Sequence, residues 1–300
     1  FPMSVEYIER FYASGKINGS RFVKIERFPS DDAVLKARMI DRTLRSRFPD
    51  DYRDEVSLIV TVMSYDEEND PVLLAINAAS VALMNSQAPF DGPVAGVRMG
   101  MEENIIKPIY KSIEDVDLVD KMNYVVGGDG KVFTMIDAGC FEIPEEDVLK
   151  AMEMSLDEMK LWIDAQNAFV KILEKKDKAY TSFAVSEDLL KEMSEFLGDR
   201  LLENLLAGDK EKHESTKEEV FKKFEGKYTK VLMSEAYEKL LKKTMRKYVA
   251  EKSKRADNRD FDEVREMAAE VDLLPRVHGS ALFTRGVTQV LSIATLGTLK

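Results

Sequence analysis

Three regimes of hydrophobic patterning follow one another along the chain, and each predicts a different kind of structure. Up to about residue 140 the apolar positions fall in short β-branched runs. Val56-Ser57-Leu58-Ile59-Val60-Thr61-Val62 is dense in strand formers, and Val94 to Val97 reads the same way. Tyr124 to Val126 and Val132 to Ile136 flank Gly127-Gly128-Asp129-Gly130, the pattern of a hairpin. Helical patterns alternate with these strands. One starts at Ser30-Asp31-Asp32, and Pro71-Val72 opens another whose small residues, Ala75 to Met84, permit close approach to a sheet.

From Glu145 to Leu274 the chain has no proline and is dominated by Leu, Met, Glu and Lys, which predicts a bundle of helices. Pro144 suits the first turn of the first of them. Val148, Met152, Met159, Ile163, Phe169 and Ile172 recur at helical spacings as one buried stripe, and Gly208-Asp209 and Gly226 mark breaks. Beyond Glu251-Lys252-Ser253-Lys254-Arg255 the pattern returns to strands, Ser280 to Phe283 and Thr288 to Leu296, around Arg285-Gly286. Two strands are marginal alone, so they are expected to belong to a larger sheet. The expected class is α+β, with segments 1–143, 144–252 and 253–300.

Charge narrows the function classes. The chain carries 44 basic and 55 acidic residues, net −11, so any contact with nucleic acid or a membrane surface has to be local. The exception lies between Arg21 and Arg53, where nine basic and six acidic residues give an excess of three and leave −14 for the remainder. Within it, Arg38, Arg42 and Arg45 are spaced i, i+4 and i+7, which puts three guanidinium groups on one helix face, with Arg47 nearby. Planar guanidinium groups match phosphate oxygens through paired donors. The pattern alone favours a solvated face paired with Asp31, Asp32 and Asp41 over a phosphate-binding one. The single cysteine, Cys140, excludes an internal disulfide and fits a reducing compartment, so a cytoplasmic location is expected. No apolar run approaches the roughly 18 residues of a membrane span. The opening on Phe1-Pro2 and the stop at Leu299-Lys300 just after an apolar run read as a segment of a longer protein.

Three phrases carry a family resemblance. Leu273-Leu274-Pro275-Arg276-Val277-His278-Gly279-Ser280-Ala281-Leu282-Phe283-Thr284-Arg285-Gly286-Val287-Thr288-Gln289 closely resembles the opening of the second RNase PH-like domain of the polynucleotide phosphorylase family. Arg38-Met39-Ile40-Asp41-Arg42-Thr43-Leu44-Arg45 with Phe48-Pro49, and Pro89-Phe90-Asp91-Gly92-Pro93, resemble that family's first RNase PH-like domain in the right order. The proline-free middle corresponds to its helical domain. The resemblance implies an RNase PH-like (ribosomal protein S5 domain 2-like) core lacking its first strands, then an all-α bundle, then the opening strands of a second core.

By the same resemblance the function is phosphorolytic 3′→5′ exoribonuclease action, with inorganic phosphate as substrate, Mg2+ as cofactor, single-stranded RNA as partner and a homotrimeric ring as assembly. The family's phosphate-binding serines and metal-binding aspartates correspond to positions beyond Lys300, so no catalytic or metal-binding residue is assigned within the chain. RNA contacts are implied for Lys24, Arg27, Arg38, Arg42 and Arg45, and cleft-facing positions for Arg259 and Arg285. Ile25, Phe28, Asn258 and Val287 depart from the family pattern, and these departures equally suit an inactive RNA-binding or scaffold protein on the same fold. Asn258 stands for a glycine, and asparagine is the next best residue for a left-handed turn.

Other candidates read as structural. His278 has no nucleophile and carboxylate that the sequence can pair with it, so a turn or packing role is expected rather than a general base. Asp66-Glu67-Glu68 is expected to be a loop, and Glu145-Glu146-Asp147 a helix N-terminus favoured by negative charge, rather than metal sites. Trp162, Met152, Met154 and Met159 are expected to pack between helices.

Overall fold

The computed structural model describes residues 2–17, 29–111, 122–173, 179–208 and 210–298. They form two compact units, 1–184 and 185–300. Strand β1 (Met3–Glu9) lies parallel to β2 (Val56–Val62), whose observed limits are those of the β-branched run. Helix α1 (Asp31–Arg45) packs on β1 and is capped by Ser30, whose Oγ accepts from the Ala33 N–H at 3.0 Å. Helix α2 (Pro71–Met84) is capped by Asp70, with Pro71 in the first turn where its missing N–H costs nothing.

Four antiparallel strands complete the first unit in the order β4-β3-β5-β6: β3 (Ala95–Glu102), β4 (Ile105–Pro108), β5 (Met122–Gly128) and β6 (Phe133–Cys140). The hairpin expected around residues 127–130 is β5–β6, and Asp129 closes it by accepting from the Lys131 and Val132 N–H groups. Side chains alternate across this sheet. Val125 joins one core with Tyr7, Ile40, Leu44 and Ile76, while Tyr124, Val126, Val97 and Met99 join a second with Ala151 and Met159. Glycines set the approach of α1 and α2. A Cβ at Gly96 would meet Ile76 Cδ1 at 2.7 Å, and one at Gly127 would meet Thr43 Oγ1 and Cγ2 at 2.5 Å.

The second core needs a helix to cover it, and α3 (Glu145–Val170) does so against β3 and β4. Read from sequence into the helical segment, α3 therefore packs within the first unit. Met159 is fully buried, with Val148, Met152, Met154, Trp162 and Ile163 packed against the same cluster. The expected stripe stops there, because Phe169 is 53% exposed and Ile172, past the end of the helix, 81%. Gln166 is buried instead; its Nε2 donates to Asn77 Oδ1 and to the Val94 carbonyl, both at 2.9 Å.

In the second unit, α4 (Glu187–Leu197), α5 (Arg200–Ala207), α6 (Lys210–Lys223) and α7 (Lys230–Lys252) surround a core of Leu189, Met193, Leu197, Val220, Met233 and Tyr237. Both expected breaks are left-handed glycines, Gly208 at φ 62° and Gly226 at φ 79°, and a further one separates α4 from α5 at Gly198, φ 52°. The terminal sheet has three antiparallel strands rather than two, in the order β7-β8-β9: β7 (Met267–Val271), β8 (Gly279–Arg285) and β9 (Thr288–Ala294). Asn258 adopts φ 64°, the left-handed conformation expected of it. Among the described residues no helix is long and apolar enough to cross a membrane.

Candidate nucleic-acid interface

Helix α1 buries Ala33, Ile40, Thr43 and Leu44, which turns its arginines outward. The structure then divides the arginines by their partners. Arg38 and Arg42 are exposed and, among the described residues, make no ion pair or hydrogen bond. Arg45 is held on its own helix by Asp41, with Nε to Oδ2 at 3.0 Å and Nη2 to Oδ1 at 2.6 Å, and it also donates from Nη2 to the Met3 carbonyl at 2.8 Å. Arg47, just past the helix, is a structural clamp: Nε donates to the Asp91 carbonyl at 2.6 Å, Nη2 to Asp91 Oδ2 at 2.8 Å, and Nη1 to Asp129 Oδ2 at 3.2 Å. Two of the four guanidinium groups are thus occupied, and two keep their donors for solvent or a ligand.

A concavity of about 640 Å³ opens at the C-terminal end of α1. Arg42 and Arg45 line it beside the apolar Phe48 and Pro49, and β6 contributes Thr134, Met135 and Ile136. Thr134 Oγ1 donates to the Thr43 carbonyl at 3.0 Å, which ties β6 to the last turn of the arginine helix. Phe48 is buried, stacked with Tyr52 at 6.0 Å between ring centroids and tilted against Phe90 at 5.4 Å, so this wall is rigid. Cations beside a partly apolar wall can take a phosphate and an adjoining base together. The β6 contribution escapes sequence reasoning: the hairpin is legible, but which of its residues meets α1 is set by register.

The remaining candidates are placed elsewhere. Lys24 and Arg27 lie outside the described residues. Arg259 is held in its own turn, Nε to Asp257 Oδ2 at 2.9 Å and Nη1 to the Glu263 carbonyl at 2.6 Å, a structural arrangement. Arg285 is exposed at the end of β8, opposite Met267 and Thr288. Both belong to the second unit. His278 Nδ1 accepts from the Leu296 N–H at 2.8 Å and so anchors the end of β9, the turn role expected of it. Asp66 clasps its own loop; the Asn69 N–H, the Asn69 side-chain amide and the Glu68 N–H, in that order, hold its carboxyl down at about 2. An NMR titration should find that depressed value, and Asn69→Ala should raise it only in part, because the variant loses the side-chain amide while the backbone N–H groups of positions 68 and 69 still donate to the carboxylate. Glu145, Glu146 and Asp147 occupy the first turn of α3. Among the described residues no three His, Cys, Asp or Glu side chains converge as a metal site.

Residues 1–89 match the 3′ exoribonuclease family, domain 1, the RNase PH domain. The polyribonucleotide nucleotidyltransferases of Caldicellulosiruptor bescii and Caldicellulosiruptor saccharolyticus are each 42% identical over 306 residues, covering 99% of this chain and 43% of theirs. The crystal structure of rice Rrp46 aligns with a TM-score of 0.44 and 16% identity over 56% of this chain and 72% of that one. The chain therefore spans less than half the length of the curated relatives it matches. Its first 89 residues match the RNase PH domain, and along nearly its whole length the chain is similar to one stretch of the polyribonucleotide nucleotidyltransferases.

Proposed function

We propose that the chain is the RNA-guiding part of a phosphorolytic 3′→5′ exoribonuclease, and that Arg38 and Arg42 lead single-stranded RNA past the concavity at the end of α1. The observation that carries this is the pair of exposed guanidinium groups without a partner among the described residues, Arg42 lining a partly apolar hollow in a segment that matches the RNase PH domain and Arg38 one turn earlier on the same helix. Arg45 contributes charge while its hydrogen bonds to Asp41 and Met3 hold it in place. Lys24 and Arg27 extend the same basic segment.

In the reaction proposed for the whole enzyme, phosphate forms a new P–O bond at the terminal linkage of the RNA. The 3′ oxygen of the preceding nucleotide leaves, and a nucleoside diphosphate is released. A divalent ion such as Mg2+ would supply charge neutralisation in that step, but the described residues include no ligand set that fits one, so no step is assigned to this chain through it. The reading places the protein in the cytoplasm as a homotrimer, with Arg259 and Arg285 toward the cleft.

The double variant Arg38→Gln/Arg42→Gln tests the guiding role. Both side chains are exposed, so the fold should persist, while affinity for a fluorescent single-stranded RNA should fall roughly tenfold. The slope of log K against log salt should become shallower by ~1.4, since each phosphate contact on a single strand contributes ~0.7. An unchanged slope would sink the proposal.

A further inference from the structure

The most strongly basic stretch of the chain lies outside the arginine helix. From Lys239 to Arg255 there are eight basic residues and one acidic residue, in a chain of net −11. Four of them, Lys239, Lys242, Lys243 and Arg246, are exposed on α7 and have no ion pair or hydrogen bond among the described residues. At 3.6 residues per turn they fall within about 100° of the helix circumference and span about 10 Å of its axis. The buried face, Met233, Ala236, Tyr237 and Leu240, points away from them into the bundle core.

Spacing makes this face self-repelling. Lys239 with Lys243, and Lys242 with Arg246, are i, i+4 neighbours of like charge, and Lys239 with Lys242, and Lys243 with Arg246, are i, i+3 neighbours. The carboxylate placed to relieve Lys242, Glu238 four residues earlier, is drawn to Lys217 of α6 at 3.9 Å instead. The helix macrodipole favours cations only in the C-terminal turn, and all four residues lie before that turn of α7. By contrast, Lys247 pairs with Glu251 at 3.8 Å and Lys254 with Asp260 at 2.6 Å, so these two are neutralised within the fold.

We propose that this face of α7 is a second binding surface for single-stranded RNA, one that tracks the phosphodiester backbone through point charges rather than bidentate recognition. The inference rests on the proposed function for the identity of the polyanion, but on α7 alone for its location. It takes RNA without sequence preference, because no aromatic or amide side chain belongs to the stripe.

The test is fluorescent oligo(A) binding across a salt series with the complete chain. Lys239→Gln/Lys242→Gln/Lys243→Gln/Arg246→Gln should flatten the salt slope by roughly 2–3 and weaken binding at least tenfold at low salt, at ~0.7 of slope per phosphate contact. Circular dichroism should be unchanged, since Gln is a good helix former and the repulsion is relieved. A control that removes equal charge elsewhere, Lys150→Gln/Lys160→Gln/Lys171→Gln/Lys191→Gln, should leave the slope nearly as it was. If that control flattens the slope as much, or the α7 variant leaves it unchanged, the surface is refuted. A null result on α7 alongside a loss for Arg38→Gln/Arg42→Gln overturns this inference and leaves the guiding role standing, whereas null results for both overturn the two together.

Discussion

Arg98→Met should destabilise the first unit by ~3–5 kcal/mol, the cost of leaving one member of a buried ion pair without the other. Arg98 sits on β3 with 3% of its surface exposed, and its Nη1 meets Asp70 Oδ2 at 2.5 Å where Asp70 is 7% exposed. Among the described residues, its other side-chain contact, to the Lys111 carbonyl at 3.4 Å, is long, and its Nε has no partner. Asp70 also caps α2 through Oδ1, which accepts from the Val72 N–H at 2.9 Å. The double variant Asp70→Asn/Arg98→Met should therefore recover most of the loss, because asparagine keeps the cap and neither charge is left buried. Denaturant titration of the three proteins checks this. A double variant no better than Arg98→Met would show that packing rather than the stranded carboxylate sets the cost.

Gly127→Ala should cost up to ~3 kcal/mol, at the upper end of what overpacking a close-packed interior costs. The added Cβ meets Thr43 at 2.5 Å on two atoms, and Thr43 is completely buried on a β-branched side chain that cannot turn aside. Its Oγ1 is already committed to the Met39 carbonyl at 2.8 Å. Relief has to come from moving α1, which carries Arg42 and Arg45 into the concavity, so RNA affinity should fall with stability. Thr43→Ala added to Gly127→Ala should restore much of both. If stability drops and RNA binding does not, α1 yields without shifting its arginines and the link from packing to site is wrong.

Local structure was legible wherever one residue type settles a backbone choice. The limits of β2 follow from its β-branched run, the start of α2 from Pro71-Val72, the breaks at Gly208 and Gly226 from glycine's access to positive φ, and the turn at Asn258 from the next best residue for it. Strands without such signals were missed. Met267-Ala268-Ala269-Glu270-Val271 contains good helix formers, yet it is β7, because pairing with β8 supplies the hydrogen bonds that propensity does not predict. The stripe on α3 was read two residues too far at Phe169 and Ile172, since periodicity shows which face can be buried but not where the opposing sheet ends.

The candidate site divides in the same way. Helical spacing placed Arg38, Arg42 and Arg45 on one face, and resemblance gave that face a meaning. The same spacing offered Asp41 as a partner on that face, and Arg45 takes it, but sequence could not say that Arg45 would also reach the Met3 carbonyl, that Arg47 would be a clamp between Asp91 and Asp129, or that Thr134 and Ile136 would complete the hollow. By itself the sequence determined the helices, turns, charge distribution and family resemblance, because those depend on neighbours a few residues apart or on phrases read in order. Only the tertiary structure decided which cations remain unpaired, because a partner 44 or 82 residues away, as Asp91 and Asp129 are from Arg47, is brought within reach by strand register and sheet packing alone.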